Sequence, residues 1–201
     1  MLFVLIVLLL VASVFVLLMK KNRESLCLLG MCCSLMVQFS GILIFIAKKG
    51  GYSRSIINFL FFSLALRNKL QYLFITLDAL GYIIAVGRYL FPLFLLESAL
   101  QYSMIGWIRR HPDIQKWICV LPAATLAVYF PPVFRFIVNR WPVMHSVLVE
   151  GSYWWITAYV AVALVLMIQE LFAITMRFCR KQFVGIVGCH LALSGLYLLY
   201  C

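Results

Sequence analysis

Acidic side chains are scarce in this chain: six Asp and Glu stand against seventeen Lys and Arg over 201 residues. Charged residues of both signs reach only 11%, where a globular domain carries roughly a quarter. That leaves too little polar surface to coat a water-soluble domain of this length. Catalytic signatures are missing as well: no Walker A loop, no HExxH and no nucleophile elbow occurs. His111 in "RRHPD" has no helical acidic partner and is followed by Pro112. No catalytic site is therefore expected in this chain, and no cofactor. The seven cysteines show no metal-ligand spacing, and Cys32 and Cys33 in "MCCS" lie in an apolar run, where they read as small packing residues. No metal site is expected. The period-two polarity of a membrane barrel is missing. So is any basic face or known module that would read nucleic acid, despite the net charge of +11. Finally, no basic region precedes the first apolar run, Met1–Leu18, which reads as an anchor and not a cleaved signal peptide.

What the chain does have is grease. Hydrophobic residues make up 66% of it, and the mean hydropathy is +1.07. A crossing helix needs about 20 apolar residues. Six runs have that character: Leu2–Met19, Leu26–Ala47, Ala79–Ile105, Trp117–Phe136, Tyr153–Met176 and Phe183–Cys201. Unpaired backbone groups are not tolerated in lipid, so each run should be helical. The expected fold is all-α, a polytopic transmembrane bundle of six spans plus one short interfacial or re-entrant helix. Residues 55–77 would make a seventh span if they crossed too, but Arg67, Asn68 and Lys69 cut that stretch.

Basic residues between the runs set an orientation. An outside N-terminus places Lys20, Lys21, Arg23, Arg109, Arg110, Lys116, Arg177, Arg180 and Lys181 in the cytoplasm. The same clusters suit anionic lipid phosphates, making the bilayer the first expected partner. The five tryptophans fall near span ends, as an interfacial belt requires. The last run stops without a polar tail: either the chain ends at the membrane surface or, the favoured reading, it is a fragment whose next helix lies beyond Cys201.

Ionisable residues inside the spans are the functional candidates, because they face protein rather than lipid. The stretch "GRYLFPLFLLESALQYS" carries Arg88 and Glu97 about 13 Å apart along one helix. Arg88 either snorkels to the outer surface or meets Asp78 or Glu150 on a neighbour. Glu97, Glu170 and His190 come from three helices at comparable depth, and Gln101 lies one turn below Glu97 on the same face. They are expected to form a polar cluster: a structural tie, or a site that responds to ligand or pH with His190 as the titrating member. Toward the outside, "NRWPVMHSVLVEGSYWW" reads as an outer loop. Its His145, Glu150 and Trp154, with Asp78, Arg88 and Tyr89, could roof a ligand pocket.

The same opening stretch carries a resemblance. Gly87, a mid-helix Pro92 and Tyr102, then Trp117 and Leu121-Pro122, resemble the seven-transmembrane N-terminal sensor region of bacterial sensor histidine kinases. The segments "GSYWWITAYVAVALVL" and "RKQFVGIVG" resemble two later helices of that region. The resemblance implies a membrane-embedded input domain in a bacterial plasma membrane, N-terminus outside, sensing an extracellular or lipidic ligand. It implies a homodimer through a cytoplasmic kinase that is not in this chain, and a cognate response regulator as that kinase's partner. The chain holds no phosphoacceptor histidine motif and no ATP-binding glycine boxes, so the kinase chemistry lies elsewhere. From another class, the substrate-binding subunit of a vitamin-type importer matches the length, span count and basic charge equally well.

Overall fold

The computed structural model describes residues 2–18, 23–48, 78–103, 105, 113–174 and 177–200. Among them every element is a helix: α1 (Leu2–Leu18), α2 (Arg23–Lys48), α3 (Asp78–Tyr102), α4 (Ile114–Val128), α5 (Pro131–Arg140), α6 (Pro142–Ala173) and α7 (Arg177–Tyr200). Three of them are long and apolar enough to cross a membrane, within Arg23–Leu43, Gly81–Tyr102 and Pro142–Ala173. A fourth is added if the bent pair α4–α5 counts as one span. That is the make-up of a membrane protein, though with fewer qualifying helices than the six or seven expected. The shortfall comes from the two ends, where Leu2–Leu18 and Phe183–Leu199 are apolar but shorter. The ambiguous segment 55–77 lies outside the described residues.

The stretch that carries Arg88 and Glu97 lies in the central helix. Of the spanning part of α3, 72% is buried, against 28% for α6. α2, α4, α6 and α7 all pack on α3. Contacts along its length fix their directions. On α2, Glu24 meets Tyr102, Cys27 meets Gln101, Ser34 and Gln38 meet Gly87, and Gly41 meets Ile84, so the two helices are antiparallel. On α7, Phe183 meets Tyr102, His190 meets Ser98 and Tyr197 meets Phe91, which is again antiparallel. α4 places Tyr129 beside Tyr89 and Cys119 toward Glu97, whereas α6 brings Tyr153 and Trp155 to the level of Arg88 and Tyr89. α1 packs on α2 through a narrow seam of Leu2, Leu9, Ser13 and Val16, leaving Phe3, Leu8, Phe15 and Leu18 exposed.

Gly87 sets the closest approach. A Cβ there would lie 2.5 Å from the Ser34 carbonyl oxygen and 2.7 Å from the Gln38 backbone nitrogen. Only a residue without a side chain lets α2 and α3 approach so closely.

The prolines explain two features that the apolar pattern alone does not show. Pro92 lies inside α3 and Pro122 inside α4. Each lacks an N–H and so deprives the carbonyl four residues earlier of its helical donor. Those carbonyls belong to Arg88 and Ile118. The Tyr197 hydroxyl of α7 donates to the Arg88 oxygen at 2.9 Å, and the Tyr159 hydroxyl of α6 donates to the Ile118 oxygen at 2.9 Å. Both gaps are filled by a tyrosine from a neighbouring helix, as a low-dielectric interior demands.

Two expected boundaries need correction. The run Trp117–Phe136 is not one straight span: it breaks at Tyr129–Phe130, and α5 leaves α4 at 72°. Pro131 and Pro132 offer no donors to the end of α4, and the residue before a proline avoids helical angles. Phe130 accordingly sits at φ −58°, ψ 126°. The supposed outer loop 139–155 is also helical except at Trp141, because Pro142 opens α6 eleven residues before Tyr153.

Candidate functional site

Two groups of polar side chains meet on α3, one at each half. At the upper half Arg88 is 3% exposed, and its guanidinium carbon lies 4.4 Å from the centre of the Tyr153 ring, a cation–π contact. Tyr89, 1% exposed, touches the rings of Tyr129 at 5.3 Å and Trp155 at 5.6 Å. The rings continue in both directions. Tyr129 stacks on Phe134 at 5.1 Å across the α4–α5 break, Phe134 meets His145 at 5.8 Å, and Trp155 meets Tyr159 at 5.2 Å. Six rings from four helices thus form one ladder through the level of Arg88. The Ser152 hydroxyl gives its proton to the Val149 carbonyl at 2.7 Å. The phenols of Tyr89 and Tyr129 lie close to this side chain.

At the lower half, neighbouring residues of α3 serve different helices, as the 100° step of a helix requires. Gln101 donates to the Cys27 thiol on α2 at 3.2 Å, and the Glu97 carboxylate reaches the same sulfur. Ser98 faces α7, with its hydroxyl 2.9 Å from His190 Nε2. His190 Nδ1 lies 2.8 Å from the Ile186 carbonyl oxygen. A carbonyl oxygen only accepts, so Nδ1 carries the hydrogen; in the neutral ring Nε2 then accepts from Ser98. Tyr102 closes this end, edge-on to His190 and donating to Glu24 at 3.3 Å.

The candidate residues are distributed as follows. Arg88 and Tyr89 share one buried site, and His145 joins it through Phe134. Trp154 is 77% exposed, and its neighbour Trp155 stands beside Tyr89. Glu150 is exposed on α6. Asp78 begins α3, and its side chain lies outside the described residues. Of the four members expected in one polar cluster, Glu97 and Gln101 converge on Cys27 whereas His190 pairs with Ser98. Glu170 is buried at 4% exposure on the inner face of α6 with Ala163 and Met167. Tyr129, Tyr153, Trp155, Ser152, Cys27, Ser98 and Tyr197 were not singled out in the sequence. Tyr197 had a usable signal, since a mid-helix proline implies a donor for the carbonyl it strands.

Among the described residues no group of three or more His, Cys, Asp or Glu could hold a metal ion. Compared with known protein families, with curated proteins and with solved structures, the chain matches none of them.

Proposed function

We propose that this chain is the membrane-embedded signal-input region of a bacterial sensor histidine kinase, with its N-terminus outside and six crossings: α1, α2, α3, α4–α5, α6 and α7. The alternating helix directions support that count. The 17 residues of α1 reach about 26 Å, close to the hydrocarbon thickness of ~30 Å. One observation carries the reading: the interior polar residues of α3 fasten it to three neighbouring helices. Arg88 is tied to α6 by its side chain and to α7 by its backbone, Ser98 to α7, Gln101 to α2.

A helix held this way moves as a coupled part of the bundle. A ligand that binds two helix arrangements unequally then shifts all of them together. The upper site, near the outer surface, is where the signal is read, with Arg88, Tyr89 and the ladder as contacts. The Ser98–His190 and Gln101–Cys27 pairs transmit the shift toward the cytoplasmic side. The transmitter and its response regulator act beyond this chain.

The test is a fusion of residues 1–201, through a further transmembrane helix, to a histidine-kinase transmitter core in membranes. Ser98→Ala and Arg88→Gln should each change basal autophosphorylation several-fold. Autophosphorylation unchanged by both substitutions, in chains that remain folded, would remove the signalling role. Co-purification of the native chain with a pair of ATPases would instead identify an importer subunit.

A further inference from the structure

The ladder accounts for Phe134 of α5 but not for the rest of that helix. Phe134 points inward and is 4% exposed. Val133, Phe136 and Arg140, at i, i+3 and i+7, form one exposed stripe, and Arg135 and Asn139, at i and i+4, form another on the other flank. Arg140 and Trp141 end the helix, both exposed. A sharp turn, a half-apolar outer face and two arginines within ten residues do not suit a straight crossing.

Depth decides where α5 lies. Tyr102 and Glu24 mark the lower edge of the bundle through an exposed hydrogen bond. Tyr89 lies about 20 Å above Tyr102 along α3, in a hydrocarbon layer of ~30 Å. The Tyr129 ring rests on Tyr89. α4 therefore ends roughly 10 Å below the opposite edge, and the 72° turn holds α5 within that last ~10 Å, the depth at which the apolar face of an interfacial helix lies.

We propose that α5 is an interfacial helix in the outer leaflet, with Val133 and Phe136 toward the acyl chains and Arg135, on the other flank, reaching up to lipid phosphates. Trp141 anchors its end at headgroup level, where indole rings prefer to sit. Exposed guanidinium groups at this depth meet phosphodiester oxygens, which they bind with planar, paired donors. The placement rests on the six-crossing reading above. It makes the lipid surface a contact of the ladder itself, because Phe134 joins α5 to Tyr129 and so to α3.

The full chain, with its cysteines replaced and single nitroxides at positions 133, 136, 139 and 158, is tested in vesicles of phosphatidylcholine and phosphatidylglycerol. Collision with oxygen should dominate at 133 and 136, and collision with a water-soluble nickel chelate at 139. Nickel dominance at all three α5 positions, or oxygen dominance at all three, would overturn the proposal. Position 158, exposed on α6 about midway between the edges, separates the two readings: nickel dominance there refutes the membrane bundle itself. In a second arm, Arg135→Gln should lower the phosphatidylglycerol retained by the purified protein at least twofold. Unchanged retention would refute the headgroup contact.

Discussion

Tyr197→Phe removes one oxygen and keeps the ring stacked on Phe91, whose centre is 4.5 Å away. Its cost should therefore report the hydrogen bond to the Arg88 carbonyl alone. A hydrogen bond between membrane helices contributes about 0.6 kcal/mol on average, with larger cases up to ~1.7. A buried acceptor left without a donor adds about 1–3 kcal/mol. The carbonyl here has lost its helical donor to Pro92, so the larger figures apply, and a loss of about 1.5–2 kcal/mol is expected. Pro92→Ala restores an N–H four residues after Arg88. In that background the carbonyl is already satisfied, and Tyr197→Phe should cost no more than about 0.5 kcal/mol. The coupling energy is then about 1 kcal/mol or more, read from reversible unfolding of the four proteins in mixed micelles. Equal costs in the two backgrounds would refute the reasoning, because they would show that the tyrosine does not replace the missing proline donor.

The cycle of Pro122→Ala with Tyr159→Phe should couple in the same direction, though less strongly because Tyr159 is only partly buried; the same unfolding assay reads it. Gly87→Ala forces a methyl against α2 backbone and should destabilise by about 1–3 kcal/mol, the range for overpacking. Gly188→Ala, where a Cβ meets nothing within 4 Å, should be neutral or slightly stabilising, and thermal melts of the two variants compare them directly. Ser98→Ala leaves His190 Nε2 without its donor and should cost about 1–3 kcal/mol, whereas Ser98→Thr keeps the hydroxyl and should recover part of that loss. Tyr153→Leu should destabilise by about 0.5–2 kcal/mol through the lost cation–π contact, and Tyr153→Phe by clearly less.

Helix positions were legible because a membrane helix must satisfy its own backbone, so an apolar run of sufficient length dictates its structure. α3 matches its run almost residue for residue. Polarity within it was less legible: Arg88 is buried over the Tyr153 ring, where the sequence offered snorkelling or an acidic partner, and the buried Ser98 was not singled out. What the chain could not show was which neighbour each group meets. Glu97 and Ser98 are adjacent in sequence yet face different helices, so equal depth did not put Glu97 and His190 together. The pair Trp154–Trp155 posed the same problem, since one residue of phase separates an exposed ring from one packed against Tyr89. The α4–α5 break was written in Pro131-Pro132, but hydropathy reads straight through it. Pro142 carried the opposite signal, opening a helix where composition suggested a loop.

The account depends most on α3 lying inside the bundle with its polar side chains turned to named partners. The direct measurement is crosslinking in intact membranes of Gln101→Cys with the native Cys27 by a short bis-methanethiosulfonate reagent, the other cysteines being replaced. The Gln101 amide lies 3.2 Å from the Cys27 sulfur, and a cysteine at 101 ends two atoms short of it, a gap that the reagent spans, so these two positions should be linked. No link should form in a control with the cysteine at the outward-facing Ile83 instead, which is 44% exposed. Equal crosslinking from both positions, or none from 101, would contradict the central placement of α3.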